Sequence, residues 1–179
     1  SCTALFIGEV RGLLQGLNRA GSLALPAWLN YYQVLTAHGL FLVLVFTTFF
    51  VVGYFYAALS HNLNNLLPKV RKMGWTAFSL LAVGAITAAI PVIQGEASVM
   101  YTFYPPMAAS PVFYIGLVLF VVGIWVAAFG AFMQVANWRK NHKGQHLPIL
   151  SYFATGVFVL LTFSSIFVAI EVFMIIPWA

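Results

Sequence analysis

Four long apolar segments constrain the fold of this chain more than any other feature. They occupy residues 32–59, 74–93, 112–136 and 149–177. Each has about 20 residues or more, the length that an α-helix needs to cross a bilayer core of roughly 30 Å. The pattern predicts an all-α fold, a polytopic transmembrane helix bundle with four full spans.

Composition indicates the same class. The chain is 63% hydrophobic and 6% charged, with a mean hydropathy of +0.97, which lies far outside the range of soluble domains. We therefore expect residues 1–179 to form one partial transmembrane domain, surrounded by membrane lipid and without a separate soluble domain. The net charge of +5 comes from Lys and Arg residues in short loops, as topology signals do. Nucleic acid is not an expected partner.

The first 28 residues precede the first full span. Residues 2–8 are apolar but too short to cross a bilayer, and they lack both an initiating Met and the basic start of a signal peptide. We interpret them as the end of a fifth, truncated helix. Residues 9–28 contain Arg11, Arg19 and Pro26 and are predicted to connect the two helices, with a short interfacial helix among them.

Loop charges predict the orientation of the bundle, because Lys and Arg accumulate on the cytoplasmic side. Loops 61–73 and 137–147 carry three basic residues each, whereas the sequence of loop 94–111 has none. The first two loops are expected to face the cytoplasm. Loop 94–111, the carboxyl end and the segment with Arg11 and Arg19 are expected to face outward.

His38 is the one histidine of this sequence within the predicted spans. Helical rise places it about 6 to 10 Å below the outer end of its helix. A lone intramembrane imidazole is costly and needs a reason, and imidazole is the usual axial ligand of haem iron. Gly39 follows and lets a large ring or a helix approach. His38 is thus either a haem ligand or a structural residue that hydrogen-bonds to a Thr or a carbonyl.

A low-spin haem usually takes two axial side chains. His61, His142 and His146 lie in the predicted cytoplasmic loops, on the wrong side for an iron near the outer leaflet, and are expected to be solvated. The second ligand is therefore expected from polypeptide outside this sequence. The missing start, the truncated helix and the missing ligand together predict a fragment.

Two further features lie near the predicted outer surface. The loop GEASVMYTFYPP, residues 95–106, carries Tyr101, Phe103 and Tyr104. It is either an aromatic belt at headgroup level or a rigid element that points a tyrosine hydroxyl at a cofactor edge. Glu171 either reaches solvent or takes part in an ion pair or in proton movement.

Small and hydroxyl residues within the spans are expected to be structural. Small residues recur at every fourth position, which lets helix backbones approach closely; they are Gly84 and Ala88, then Gly123, Ala127 and Ala131. Hydroxyls are expected to bond to a carbonyl one turn earlier; they are Thr36, Thr47, Thr48, Thr155, Thr162, Ser164 and Ser165.

Three blocks of this sequence resemble a known family. They are NYYQVLTAHGLFLVLVFTTFF at 30–50, GEASVMYTFYPP at 95–106 and AIEVFMIIPW at 169–178. In order and spacing they look like the early helices of subunit I of the B-family haem-copper oxygen reductases. The HG pair and the YPP loop are shared more widely among haem-copper oxidases, whereas the form YTFYPP suggests the B family. The resemblance implies that residues 1–179 are the amino-terminal part of such a subunit.

The resemblance implies a terminal respiratory oxidase of the cytochrome c oxidase type, which reduces dioxygen to water with proton translocation. It makes His38 one axial ligand of the low-spin haem and places Tyr101 and Tyr104 by the haems on the outer side. The high-spin haem and copper would have their ligands after Ala179, so no catalytic residue is expected here. Implied partners are the rest of subunit I, a copper-bearing subunit II, cytochrome c or a similar donor, and dioxygen. The implied location is the prokaryotic plasma membrane.

Two alternatives remain open from the sequence. A nitric oxide reductase shares the superfamily and its haem ligands, and the form YTFYPP disfavours it only in part. A cofactor-free transporter or channel fragment would use His38 for gating or packing. Such a protein is expected to have broken helices or intramembrane charges along a path, whereas these spans are nearly uninterrupted.

Overall fold

The computed structural model describes residues 2–26, 29, 31–99 and 108–178. Within these residues all regular elements are helical and no β-strand is present, which confirms the all-α prediction. Four helices are long and apolar enough to cross a membrane: Tyr31–Asn62, Pro68–Gln94, Pro111–Asn141 and Ile149–Ile175. The predicted polytopic bundle is therefore confirmed, with each span a few residues different from its predicted bounds.

Proline and glycine set several of these bounds. The second and third spans, α4 (Pro68–Gln94) and α5 (Pro111–Asn141), each begin with proline, which has no N–H to leave unpaired in the first turn. Helix α4 ends at Gln94 and is capped by Gly95, whose φ of 81° is left-handed, a conformation that glycine adopts at little cost. The fourth span is α6 (Ile149–Ile175).

The first span is not a uniform helix. It consists of α2 (Tyr31–Gly39), a π-helical segment (Leu40–Phe46) and α3 (Thr47–Asn62). In an uninterrupted α-helix, residues 38 and 56 would lie about five turns apart on the same face. The wider turns of the π segment rotate α3 relative to α2. As a result His38 contacts the amino-terminal helix, whereas Tyr56 donates a hydrogen bond to the Ala127 carbonyl of α5 at 2.7 Å.

The amino-terminal helix α1 (Cys2–Arg19) is longer than predicted. The predicted end at Gly8, with residues 9–28 as a connection, is wrong. The helix continues because Gly8 and Gly12 allow it to pack closely against the first span, and such packing outweighs the low helix propensity of glycine. The connection begins only after Arg19, with Gly21 at a φ of 71°.

Helices α4 and α5 form the most closely packed pair. A Cβ added at Gly84 would lie 2.7 Å from both the Gly116 carbonyl oxygen and the Phe120 nitrogen. Ala127 and Ala131 on α5 are buried, as is Ala88 on α4. These positions confirm the prediction that small residues at four-residue spacing bring the helix backbones together.

The hydroxyl residues also behave largely as predicted. Four of them donate at 2.7 to 2.8 Å to the carbonyl four residues earlier: Thr36, Thr155, Thr162 and Ser164. Thr47 instead donates to Leu42, five residues earlier, because it follows the π segment. Ser165 donates to Thr162 and accepts from the Trp125 indole of α5 at 2.8 Å, so it joins α5 to α6.

The two ends of the α4–α5 loop pair with each other at the predicted outer end. Ser98 donates its N–H to Ala108, and Ser110 donates to Glu96, both at 3.1 Å. Val99 is buried in a core cluster with Leu40 of the first span. Residues 100–107 lie outside the described residues, so the predictions for Tyr101 and Tyr104 remain predictions.

Candidate functional site

His38 lies in the last turn of α2, directly before the π segment. Helical rise places it about 10 Å from the start of this helix at Tyr31. Its side chain is half-buried, while the neighbouring Ala37 and Leu40 are buried in the outer core cluster. The imidazole is therefore held at a fixed depth by a well-packed helix.

One nitrogen of the imidazole is bound to α1. Nδ1 of His38 lies 2.7 Å from the carbonyl oxygen of Gly8. A carbonyl only accepts hydrogen bonds, so Nδ1 carries the proton, and in a neutral imidazole the lone pair is then on Nε2. No hydrogen bond to Nε2 is found in the described part of the chain. Histidines that bind metals through one nitrogen typically donate from the other to a carbonyl or carboxylate.

Glycines of α1 form the recess that accepts this ring. A Cβ at Gly12 would lie 2.6 Å from Cε1 and 2.7 Å from Nδ1 of His38, and a Cβ at Gly8 would lie 2.5 Å from Cγ of Leu42. We call the space at Gly12 and the adjacent Gly8 carbonyl the His38 recess. The sequence analysis missed both residues, although Gly8, Gly12 and Gly16 have the four-residue spacing of close helix contacts.

The structural alternative for His38 predicted a hydrogen bond across the bundle to a Thr or a carbonyl. That bond is present, to the Gly8 carbonyl. It occupies one ring nitrogen and leaves the other with a lone pair, so it is compatible with a ligand as well as with a packing residue.

The other histidines are remote from this recess. His61 is exposed in the last turn of α3, at the opposite end of the first span, and His146 is exposed in the α5–α6 loop. His142 stacks on Trp138 with ring centroids 4.5 Å apart and donates from Nδ1 to the Trp138 carbonyl. Among the described residues, no group of three or more His, Cys, Asp or Glu side chains could hold a metal ion.

Glu171 is half-buried in the last turns of α6. It lies close enough to the buried Tyr114 of α5 to interact with its phenol electrostatically. Glu171 forms no ion pair with a described residue. Its surroundings are therefore those of an acid beside a tyrosine rather than of a paired carboxylate.

Comparison with known proteins identifies the family. All residues from 1 to 179 match the family described as Cytochrome C and Quinol oxidase polypeptide I. The chain belongs to this family. It is 30% identical over 184 aligned positions to cytochrome c oxidase subunit 1 of Thermus thermophilus, an alignment that covers 98% of this chain and 32% of that subunit.

A solved structure shows the same similarity in three dimensions. The fold matches a chain of a heme-copper terminal oxidase dimer, determined by cryo-electron microscopy, with a TM-score of 0.89 and 34% identity. The match covers 96% of this chain and 30% of that one. The chain therefore spans about a third of the length of these two relatives and is a haem-copper oxidase subunit I sequence.

Proposed function

We propose that this chain is part of a B-family terminal respiratory oxidase that reduces dioxygen to water with proton translocation, and that His38 is one axial ligand of its low-spin haem. The observation that carries this proposal is the state of the His38 ring. Nδ1 is bound to the Gly8 carbonyl, and Nε2 has no hydrogen bond to a described residue.

The contacts of His38 suit this role. Donation from Nδ1 to the Gly8 carbonyl fixes the tautomer and the ring orientation. Gly12 leaves the space that the ring occupies. A bound haem would supply one-electron transfer, with a potential tuned by axial ligation, hydrogen bonding and burial. The residues of this chain would hold the His38 ring in a defined tautomer and at a defined depth.

The depth of His38 fits electron entry from outside. The basic loops predict that Tyr31 begins its helix at the outer surface, so the ligand lies about 10 Å below that surface. A cytochrome c or a similar donor would deliver electrons there through a copper-bearing subunit II. The high-spin haem and copper belong to the rest of subunit I, and Tyr101 and Tyr104 are proposed to lie near the haems.

The relatives favour an oxidase over the alternatives. Their names are cytochrome c oxidase and heme-copper terminal oxidase, which supports dioxygen rather than nitric oxide as the substrate. Membership of the family also makes a cofactor-free transporter or channel a poorer explanation of His38. The proposed location is the prokaryotic plasma membrane, which the four membrane-spanning helices and the bacterial relative support.

The test is a spectrum of the complete oxidase with His38→Ala. The reduced-minus-oxidised spectrum is expected to lose the low-spin haem band, because the iron loses an axial ligand. His61→Ala is the matched control, since it removes an imidazole from the exposed end of the same span, and it is expected to keep the band. An unchanged spectrum in His38→Ala would refute the ligand assignment. Dioxygen and nitric oxide consumption by the wild-type enzyme then distinguishes the two reactions.

A further inference from the structure

Two neighbouring cavities lie between α1, the first span and α4. The outer cavity has a volume of about 330 Å³ and is lined in part by Arg11, Gln33 and Val92. The deeper cavity has a volume of about 420 Å³ and is lined in part by Ala4 and Phe49. Ile7 and Phe41 line both cavities, so the two adjoin at these side chains. We call the two cavities together the α1–α4 groove.

The outer part of the groove contains one positive charge. Arg11 is the charged residue among its described lining residues, and Arg11 makes no ion pair with a described residue. Gln33 is the polar neighbour, but its amide nitrogen is already engaged, since it donates to Val92 at 2.7 Å and to Ile93 at 3.3 Å. The guanidinium therefore has no anionic partner among the described residues, and near the membrane interface it can bind an anionic group that enters the groove.

The deeper part of the groove is apolar and narrow. Small side chains of α4 give it depth, and aromatic side chains of the first span and α4 form its walls; these residues are Ala82, Ala85, Ala89, Phe41, Phe49 and Phe78. From Phe78 to Ala89, which both line the groove, α4 rises about 16 Å, close to half the roughly 30 Å thickness of a bilayer core. The groove therefore has the length of one leaflet.

We propose that the α1–α4 groove binds one phospholipid of the outer leaflet, with its phosphate at Arg11 and an acyl chain beside Ala82 and Ala85. A guanidinium matches a phosphate in charge and in hydrogen-bond geometry. Arg11 directly precedes Gly12, and the long stem of an arginine lets its guanidinium extend to the headgroup level. Because no acidic side chain lines the described groove, an anionic headgroup is favoured. The proposal does not depend on haem ligation by His38.

Native mass spectrometry of the complete, delipidated oxidase tests the headgroup contact. The enzyme is titrated with phosphatidylglycerol and, separately, with phosphatidylcholine. One phosphatidylglycerol is expected to bind more tightly than the rest. Arg11→Gln is expected to lower the affinity for this lipid about fivefold, which is the effect of one cation on an anionic lipid. Arg19→Gln is the matched control, because Arg19 is exposed on the same helix and does not line the groove.

A second pair of variants tests the acyl-chain contact. Ala82→Phe fills the groove and is expected to lower the affinity for the same lipid. Val83 is a neighbouring exposed residue outside the groove, so Val83→Phe is expected to leave the lipid bound. An unchanged haem spectrum shows that each variant is assembled. Equal binding by Arg11→Gln and wild type, or by Ala82→Phe and Val83→Phe, would overturn the proposal. Retention of a different amphiphile in place of the phospholipid would also overturn it.

Discussion

Two helix contacts in this molecule depend on glycine, but what each glycine faces is different. Between α4 and α5, a Cβ at Gly84 or Gly116 would meet backbone atoms of the partner helix. Between α1 and the first span, a Cβ at Gly8 or Gly12 would meet side chains, Leu42 and His38. Backbone can yield only if a whole helix moves, whereas a side chain can rotate. The α4–α5 contact therefore fixes the distance between two helices. The α1 contact instead sets the position of one side chain, the imidazole of His38.

Gly116→Ala is expected to have the largest effect. Its Cβ would collide with the backbone nitrogen of Ala88 and lie 2.8 Å from the Gly84 carbonyl oxygen, so the loss of stability is expected to reach about 3 kcal/mol. The measurement is the apparent melting temperature of the complete oxidase. Gly156→Ala is the control, because no described atom lies within 4 Å of its Cβ. Equal melting temperatures would show that α4 can move away from α5 at little cost.

Gly12→Ala is expected to have a smaller effect on stability, about 1 kcal/mol, because the His38 ring can shift. The same shift is expected to move the absorption band and the midpoint potential of the low-spin haem. Gly8→Ala is matched to it: the new methyl group would press on Leu42 instead, and the Gly8 carbonyl that binds Nδ1 is retained. If both variants move the haem band equally, the recess does not act on His38 specifically.

Tyr56→Phe is expected to lower stability by a similar amount but to leave the haem unchanged, so its overall effect is the smallest. It removes the hydrogen bond from Tyr56 to the Ala127 carbonyl, which is worth about 1 kcal/mol. A lowered melting temperature with an unchanged haem spectrum would show that α3 contributes to bundle stability and not to the ligand. Tyr54→Phe serves as the reference, since Tyr54 is half exposed and its hydroxyl makes no hydrogen bond to a described residue. A displaced haem band in Tyr56→Phe would contradict this separation of roles.

Much of the bundle could be predicted because the size and polarity of the side chains determine it. Length and apolarity define the four spans, and the spacing of Gly84 and Ala88 predicts a close helix contact. The end of α1 was misplaced because Glu9 and Arg11 suggested a connection, although charged residues are tolerated on a helix face that reaches the interface. The sequence therefore indicated the helices better than their bounds.

For the candidate site, His38 could be singled out because an imidazole is rare in an apolar span. Its partner could not, because the partner is the backbone carbonyl of Gly8, and a carbonyl is present at every residue. The π segment was equally hidden, since the run Leu40–Phe46 is apolar on all sides and carries no periodicity that a wider turn would disturb. The positions of Tyr101 and Tyr104 near the haems remain predictions.

The wide turns within Leu40–Phe46 let one span turn its two halves toward different neighbours. His38 contacts α1 and Tyr56 contacts α5, although their spacing in the sequence would align them on one face. An unbroken α-helix would have tied both to one rotational phase.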